Sequence, residues 1–273
     1  MIWLGLIPLV AALWFSNRYA WWRKPVDLRH PRVLMYHMIS THRPGAKFNG
    51  LRVTPARFEA QLAWLRREGW HFFTVSELWE HWETLPERSV AITFDDGYAD
   101  NLHNALPLLE KYDAKATIYM VVDRHDRDWS TAKKAHHNSG ELAREPKLSD
   151  EELQRLVASG RIEIGSHTLT HINLRTTPAE DKRRELAESR RLLQTQTGQA
   201  VASFAYPFGI YGEADVALTR EAGYTTAVTT IDGIDARTLR PDPLQLKRIK
   251  VSGKDRLLAF VMRMRGGKRG WRK

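Results

Sequence analysis

The 273-residue sequence contains no cysteine, which excludes disulfide bridges and any chemistry that depends on a thiol. It has no uncharged apolar run of about 20 residues, the length that spans a bilayer comfortably. It shows no internal repeat, which argues against a solenoid or a propeller. What it has is an ordinary globular composition, with 42% hydrophobic and 27% charged residues, sufficient for one large domain or two small ones.

Positive charge is concentrated at the two ends of the chain. The formal net charge is +10, and residues 18–32 and 254–273 account for all of it. A near-neutral body argues against a nucleic-acid groove, so we expect no nucleic-acid partner. Basic ends suit a polyanionic surface such as anionic lipid or an acidic glycan, although two solvated tails would have the same composition. We interpret residues 253–273 as a basic C-terminal tail.

The N-terminus combines a short apolar run with an aromatic and basic flank. Residues 1–15 are uncharged, and Trp21, Trp22, Arg23 and Lys24 follow, as in an interfacial belt. A basic leader and a small-residue cleavage site are lacking, so residues 1–24 are predicted to be an uncleaved single-pass membrane anchor, with a signal peptide as the alternative. We expect a bacterial-type cell membrane with the body outside. The positive-inside tendency, which would put the body in the cytoplasm, opposes that orientation.

Beyond residue 32, short apolar runs alternate with helical stretches. The predicted strands are 33–37, 71–75, 90–94, 116–122, 161–165, 201–206, 225–229 and 248–251. Thr54 and Thr177 precede prolines and predict helix starts, and Ser149 with Glu152, like Thr177 with Glu180, fits a capping box. Such alternation predicts an α/β fold with a mostly parallel sheet. We expect a distorted (β/α) barrel of about seven strands, with a doubly wound sheet as the alternative.

One polar stretch interrupts this rhythm. Residues 123–147 contain His125, His136 and His137 and follow a predicted strand. A long insertion of this kind is typical of a lid or a binding loop, although surface decoration has the same appearance.

Two adjacent carboxylates follow the predicted strand 90–94. Asp95, Asp96 and Gly97 come directly after an apolar run, and neighbouring acids repel each other unless something positive lies beside them. A metal ion held by one acid would keep that acid ionised and leave the other free to act as a base. The alternative is a simple Asp-Gly turn.

A histidine pair follows another predicted strand. His167 and His171 are four residues apart, so on a helical turn they would share a face and could reach one ion. Parallel strands would bring this pair and the tandem aspartates to the same end of the sheet. Two imidazoles and one carboxylate leave coordination positions for water and substrate, as a hydrolytic metal site requires. The donor set predicts zinc, with cobalt or nickel as alternatives.

The motifs TFDDGY and SHTLTH, in this order, resemble the polysaccharide deacetylase family (the NodB homology domain, carbohydrate esterase family 4). The resemblance extends over about residues 30–252. It implies a distorted β/α barrel and the removal of acetyl groups from an acetylated glycan. It also implies Asp95 as the catalytic base and Asp96, His167 and His171 as the metal ligands.

Two family motifs differ in this chain. The third motif commonly reads Arg-x-Pro-Tyr, and here Ala205, Tyr206, Pro207 and Phe208 stand in its place. The resemblance assigns the Phe208 backbone amide as oxyanion donor, which needs no particular side chain. Tyr206 and Phe208 are also candidate sugar-stacking residues. The late Leu-x-His motif, which supplies the catalytic acid, is absent from residues 246–249.

Both differences resemble the branch of poly-β-1,6-N-acetylglucosamine deacetylases, in which the acid histidine comes from an early strand. His37 closes the first predicted strand, so a barrel would point it into the same mouth as Asp95. A satisfied core histidine is the alternative. Arg248, on the last predicted strand, is a candidate charge partner of Asp95 in place of the missing arginine.

The resulting expectation is a metal-dependent hydrolase that removes N-acetyl groups from an N-acetylglucosamine-containing polysaccharide and releases acetate. Two alternatives stay open. One is a deacetylase or deformylase of a lipid-linked sugar, which the predicted anchor and the basic tail favour. The other is a glycan-binding homologue that has lost catalysis, which the missing arginine and late histidine favour.

Overall fold

A closed ring of parallel strands forms the centre of the computed structural model, which describes residues 2–19, 21–133 and 139–268. The strands are β1 (Arg32–Tyr36), β2 (Met38–Ile39), β3 (Arg52–Val53), β4 (His71–Phe73), β5 (Ser89–Asp95), β6 (Ala116–Met120), β7 (Ile162–Ser166), β8 (Ser203–Ala205), β9 (Thr226–Asp232) and β10 (Leu246–Lys250). The ring runs β1–β5–β6–β7–β8–β9–β10 and returns to β1. The predicted α/β barrel of seven strands is therefore confirmed, and the doubly wound alternative is wrong because β1 pairs with both β5 and β10.

Three short strands lie outside this ring. β1 pairs with β5 from Val90 to Phe94, so the other edge of β5 is shared between β4 at its start and β6 at its end. β2 and β3 form a separate parallel pair just past the end of β1.

The alternation of side chains along each strand separates two packing regions. On β1, Leu34 and Tyr36 point outward into the main core between the ring and the helices, whereas Val33 points into the ring. The same period places Ile92 in the outer core and Ala91 inside. Because both faces are covered, the strands are almost continuously buried, as expected of a parallel barrel.

Nine α-helices are present in the described part of the chain. They are α1 (Ile2–Tyr19), α2 (Pro55–Arg67), α3 (Val75–Glu80), α4 (Leu106–Lys111), α5 (Ser130–Lys133), α6 (Asp150–Ala158), α7 (Ala179–Thr197), α8 (Glu213–Glu221) and α9 (Leu257–Gly266). The predicted capping box of Ser149 and Glu152 is present at the start of α6. The one predicted at Thr177 is wrong, because Pro178 is the N-cap residue of α7 and makes no side-chain cap.

The N-terminal segment forms the helix α1, but among residues 2–19, 21–133 and 139–268 no helix has the length and apolar character needed to cross a membrane. The prediction of a single-pass anchor helix over residues 1–24 is therefore not supported. Seventeen consecutive uncharged residues suggested a span, and the helix formed around them ends at Tyr19, short of the comfortable spanning length of about 20 residues.

The C-terminal segment contains a packed helix. Phe260 and Met264 of α9 are buried in the main core, and the buried Arg263 guanidinium pairs with Asp255 at 2.6 Å. The Arg32 side chain, also buried, donates a hydrogen bond to the Met264 carbonyl at 3.1 Å. Charge counting alone could not show this, because the apolar residues of α9 are interleaved with its arginines.

Candidate active site

The tandem aspartates lie where β5 ends at the carboxyl edge of the ring. Asp95 is the last residue of β5, and both carboxylates are almost fully buried. Asp96 has φ 76° and Gly97 has φ 71°, so the chain turns sharply after the strand. Aspartate tolerates this left-handed conformation better than most residues. Another residue at Gly97 would be strained by the positive φ, and its Cβ would lie 2.8 Å from the end of the Met120 side chain.

The two histidines reach the same place by a different local structure from the one predicted. They lie in a loop after β7, not on a helical turn, so that part of the prediction is wrong. Thr168 and His171 have φ 70° and 58°, and these left-handed residues fold the loop back. The Thr168 hydroxyl accepts a hydrogen bond from the His171 amide at 2.9 Å, which fixes the fold-back.

Asp96, His167 and His171 form one buried cluster. The Nε2 atoms of His167 and His171 lie 3.6 and 3.3 Å from Asp96 Oδ1, and the three potential ligand atoms lie within 4.8 Å of one another. Ligands about 2.0–2.1 Å from a tetrahedral ion are about 3.3 Å apart, so the spacing fits a divalent metal such as zinc. The His167 Nδ1 atom donates to the Ala205 carbonyl at 2.6 Å, which leaves the Nε2 lone pair for an ion.

The protonation states of this cluster also fit a metal. Burial and, to a smaller extent, the neighbouring His171 lower the pKa of His167 to about 4, so the imidazole is neutral near pH 7. Burial alone would raise the pKa of Asp96, but the hydrogen bond and charge of His171 hold it well below its usual range. A neutral His167 imidazole and an ionised Asp96 carboxylate are the forms that bind a cation.

Asp95 is held by a buried arginine instead. Arg248 is fully buried, and its two terminal nitrogens donate to the two carboxylate oxygens of Asp95 at 2.7 and 2.8 Å. Burial would raise the pKa of Asp95, but the charge and hydrogen bonds of Arg248 lower it on balance. The carboxyl group is therefore ionised near neutral pH and fixed in orientation by a bidentate pair.

His37 lies beside this pair, at the end of β1. Its Nε2 atom is 4.0 Å from Asp95 Oδ2, and its side chain is 19% exposed, whereas that of Asp95 is 5% exposed. The structure thus brings His37, Asp95, Asp96, His167, His171 and Arg248 to one end of the barrel.

One further residue, Tyr119, contacts Arg248, and the sequence reasoning missed it. The Arg248 guanidinium lies 5.9 Å from the ring centroid of Tyr119, whose hydroxyl hydrogen-bonds Ser203 at 2.8 Å. Gly165 makes room for that ring, since a Cβ there would lie 2.5 Å from it. A glycine inside an otherwise apolar strand is the one available signal, because it often marks a close approach of another group.

A cavity of about 390 Å³ is lined by His37, Asp95, Asp96, His167 and His171. The insertion forms one wall: Trp129, Ser130, Lys133 and Leu142 border the cavity, and the Trp129 ring stacks on His171 with centroids 5.0 Å apart. His125 belongs to the same insertion and is exposed, whereas His136 and His137 lie outside the described residues. The insertion is therefore part of the site and not surface decoration.

Tyr206 and Phe208 differ in what they offer the cavity. Tyr206 lines the cavity, but its ring is buried and stacks on Tyr211 with centroids 4.2 Å apart. Phe208 has φ 59° and packs edge-on against His171 at 4.4 Å. Its turn is closed by hydrogen bonds from the amides of Gly209 and Ile210 to the carbonyls of Tyr206 and Pro207.

Fold and site together define a parallel β/α barrel with a buried carboxylate and two histidines, suited to a divalent metal, at the carboxyl ends of its strands. Residues 83–227 match the family model for polysaccharide deacetylases. The chain is 33% identical over 236 residues to the Bacillus subtilis protein YxkH, covering 85% of this chain and 75% of that protein. The chain belongs to the polysaccharide deacetylase family.

Two further comparisons agree with this assignment. The crystal structure of a polysaccharide deacetylase from Bacillus cereus superposes with a TM-score of 0.73 at 30% identity, covering 86% of this chain and 69% of that one. The poly-β-1,6-N-acetyl-D-glucosamine N-deacetylase of Staphylococcus aureus is 25% identical over 181 residues, covering 63% of this chain and 58% of that protein. The predicted family, its likeness to the poly-β-1,6-N-acetylglucosamine deacetylases and the enzyme class, a carbohydrate deacetylase, are confirmed.

Proposed function

We propose that this chain is a metal-dependent hydrolase that removes N-acetyl groups from an N-acetylglucosamine-containing glycan and releases acetate. The observation that carries the proposal is the meeting of two different carboxylate sites in one cavity. Asp96 lies between two imidazoles, and Asp95, its neighbour in sequence, is bound by Arg248. A base and a metal site side by side are what water-mediated amide hydrolysis requires.

Asp96, His167 and His171 would hold the ion. When bound, a divalent cation supplies Lewis acidity, which polarises a carbonyl oxygen and lowers the pKa of water. The fit rests on the buried ligand atoms within 4.8 Å of one another and on the His167 tautomer fixed by Ala205. Zinc suits this donor set, with cobalt or nickel as alternatives.

Asp95 is the proposed general base. It is ionised near neutral pH and faces the cavity, so it can take the proton of the attacking water. Arg248 is a positioning residue in this scheme, since it contacts Asp95 and holds its carboxylate in one orientation. The Phe208 amide, in the turn beside His171, is the proposed donor to the developing oxyanion.

His37 is the proposed general acid. It borders the cavity 4.0 Å from Asp95, so an imidazolium there can donate a proton to the departing amine. Assigning the acid to β1 and the base to β5 places the two groups on adjacent paired strands, in register between Tyr36 and Phe94.

The test is acetate release from N-acetylglucosamine oligomers by the full chain, with and without a chelator. We expect activity that chelation abolishes and zinc restores. Asp95→Asn should abolish acetate release while zinc binding stays, and Asp181→Asn, an exposed acid on α7, serves as the matched control. Full activity in the presence of chelator, or in Asp95→Asn, would contradict the proposal.

We further propose action at a bacterial-type cell membrane, with a lipid-linked acetylated or formylated sugar as the second candidate substrate. The support is the exposure of apolar side chains at the N-terminus: Leu13 is 54%, Trp14 61% and Trp21 52% exposed. Such a surface, followed by Arg23 and Lys24, suits the interface of an anionic bilayer. Vesicle co-sedimentation of the full chain, compared with a chain lacking residues 2–19, tests this. Equal pelleting of the two chains would contradict it.

A further inference from the structure

The side chain of the proposed general acid is not oriented by a hydrogen bond. His37 Nε2 lies 4.0 Å from Asp95 Oδ2, too far for a hydrogen bond, and within the described part of the chain the ring makes no hydrogen bond elsewhere. The His167 ring, by contrast, is held by the Ala205 carbonyl at 2.6 Å. The position of the His37 imidazole therefore depends on the backbone that carries it.

That backbone runs from β1 into β2, and its two edges are held in different ways. At one edge, β3 pairs with β2, and the Met38 amide donates to the Leu51 carbonyl at 3.1 Å. Successive residues of a strand direct their amide and carbonyl groups to opposite edges, so those of His37 and Ile39 face away from β3. Backbone groups that are removed from water require partners, and here side chains take the place of a strand.

The segment after β5 supplies these side chains. Asp100 Oδ1 accepts a hydrogen bond from the Ile39 amide at 3.1 Å, and Asn104 Nδ2 donates to the Ile39 carbonyl at 2.8 Å. Asn101 Nδ2 donates to the His37 carbonyl at 2.9 Å. The residue that carries the proposed acid is thus held from the edge opposite β3 as well.

Asn101 is the member of this group that contacts His37 itself. It is 1% exposed and begins a π-helical turn that ends at Ala105, a type of structure that is frequent at functional sites. Its Nδ2 atom also donates to Asp100 Oδ1 at 3.0 Å. Its Oδ1 atom is buried and has no hydrogen-bond partner among the described residues. An unpaired buried oxygen opposes folding, so the amide contributes more to the geometry of this segment than to stability.

Asn101 also connects the proposed acid with the proposed base. It lies six residues after Asp95, beyond the turn that places the tandem aspartates. Below that turn, β1 and β5 are paired as far as Tyr36 and Phe94. The hydrogen bond from Asn101 to the His37 carbonyl joins the two chain segments again above the paired strands, and so fixes the distance between acid and base.

We infer that Asn101 is a positioning residue for the proposed general acid: by holding the His37 carbonyl, it keeps the imidazole beside Asp95. This inference rests on the proposed function and adds a residue that acts through His37. As the carbon–nitrogen bond of the acetamide breaks, its electron pair goes to nitrogen, which takes the proton of His37 while acetate forms. A displacement of about 1 Å at such a step lowers a rate by about a hundredfold.

A double-mutant cycle tests whether Asn101 acts through His37. Asn101→Leu removes both donors at similar volume, so it should lower kcat for acetate release from N-acetylglucosamine oligomers by about 10- to 100-fold, with zinc content unchanged. His37→Gln should lower kcat by about 10²- to 10⁴-fold. The double variant should be no slower than His37→Gln alone, because the group that Asn101 positions is already absent.

The cycle separates this inference from the proposed function. Effects of the two changes that multiply would overturn the inference and leave His37 as the acid. Full acetate release by His37→Gln would contradict the acid assignment in the proposed function, and the inference would fall with it.

The leaving group provides a second readout. 4-Nitrophenyl acetate carries the same acetyl group, but its phenolate departs without a proton, so its hydrolysis needs no general acid. Asn101→Leu and His37→Gln should leave the chelator-sensitive hydrolysis of this ester close to the wild-type rate, whereas Asp95→Asn should slow it. Equal losses on amide and ester in Asn101→Leu would indicate a general structural defect and would overturn the inference.

Two further variants of the same segment complete the test. His103→Gln is the matched control, since His103 is half exposed and pairs with Glu152 at 2.6 Å, and it should change neither rate. If Asn101→Leu does not fold, Asn104→Leu decides the question, because Asn104 is only partly buried and holds Ile39 at the same edge. It should slow amide hydrolysis several-fold and spare the ester. Unchanged amide hydrolysis, or equal loss on both substrates, would overturn the inference.

Discussion

The two ends of the barrel are filled by opposite kinds of side chain. At the amino-terminal end, α3 and the turn that follows it cover the ring and pack against its interior side chains. This lower cluster consists of Val33, Val75, Leu78, Trp82, Leu85, Ala91, Tyr119, Ala205, Val228 and Leu246. At the carboxyl end, the interior holds Asp95, Asp96, His167 and Arg248, all buried. One end is a hydrophobic core, and the other is an assembly of buried charges.

The difference between the ends is clearest in two carboxylates, the partly buried Glu163 and the buried Asp96. At the lower end, Glu163 accepts hydrogen bonds from the Val75 amide at 3.1 Å and from the Thr117 hydroxyl at 2.7 Å. At the upper end, Asp96 has imidazole neighbours and His171 Nδ1 is buried without a hydrogen-bond partner. At the lower end, the fold itself supplies hydrogen-bond partners for the carboxylate. At the upper end, a buried nitrogen lacks such a partner, as expected of a site that binds a ligand.

The backbone follows the same division. Asp96, Thr168, His171 and Phe208 all have positive φ, and all four lie at the carboxyl end. A left-handed conformation costs a residue with a Cβ roughly 1–2 kcal/mol. Half of the eight non-glycine residues with positive φ in the described chain therefore occur where the site turns its side chains inward, which is typical of functional sites. The other four, Arg88, Asp113, Asp126 and Arg240, lie elsewhere in the chain. The functional groups lie at the upper end, whereas the lower end contributes hydrophobic packing.

The largest effect should come from removing a metal ligand. Asp96→Ala should lower acetate release by roughly a thousandfold or more, because the proposed site would lose its only carboxylate ligand. The cooperative unfolding transition should remain, since the lower cluster is untouched. Zinc content by atomic absorption and acetate release test this together. Asp95→Asn is the control, which should lose activity and keep zinc. Zinc retained in Asp96→Ala would contradict the assignment of Asp96 as a metal ligand.

Arg248 lies at the carboxyl end but should affect both the stability of the fold and the activity. Arg248→Met leaves the Asp95 charge buried without its partner, which is expected to cost about 3–5 kcal/mol in the free energy of unfolding. The pKa of Asp95 should rise, because burial is then no longer opposed. A general base works only when it is deprotonated. As the pH is lowered, the variant should therefore lose its activity at a higher pH than the wild type does.

Denaturant unfolding and the pH profile of kcat/KM measure these two consequences. Arg248→Lys is the matched variant, which keeps the charge but loses the bidentate geometry, so its profile should lie closer to that of the wild type. An unchanged acidic limb in Arg248→Met would show that Arg248 does not act through Asp95.

Leu246 lies wholly within the lower cluster. Leu246→Ala should destabilise the fold by about 3 kcal/mol, because it removes buried methyl groups and leaves a cavity. Acetate release per folded molecule should not change at a temperature where the variant is fully folded. Leu239→Ala, at an 80% exposed leucine, is the control and should change neither property. A loss of kcat in Leu246→Ala would mean that the two ends are coupled.

Much of this division could be predicted from the sequence. Parallel strands end at one edge, so tandem aspartates after one strand and histidines after another had to lie near each other once the alternation predicted a barrel. The capping box of Ser149 was equally local, since its two partners are three residues apart. Predictions of this kind depend on residues that are close in the sequence and on the rule that parallel strands all end at the same edge of a barrel.

The features that could not be predicted depend on contacts between residues far apart in the sequence or on unusual backbone conformations. The spacing of His167 and His171 suggested a helical turn, and nothing in the sequence marked Thr168 as left-handed, since only glycine signals that conformation clearly. The stacking of Trp129 on His171 joins residues 42 positions apart and depends on how the insertion folds. The room that Gly165 makes for Tyr119 requires the register between β6 and β7.

The smallest expected effect distinguishes a structural carboxylate from the proposed catalytic one. Glu163→Gln keeps the shape of the side chain but replaces one acceptor oxygen with a donor amide, which then faces the donating Val75 and Ser76 amides. One mismatched hydrogen bond should lower the free energy of unfolding by about 1–2 kcal/mol, with kcat and zinc content unchanged. The same isosteric change at Asp95 should do the reverse: acetate release is lost and zinc stays. Urea unfolding and acetate release on the two variants make the comparison, and a drop in kcat for Glu163→Gln would show that the lower end also takes part in the reaction.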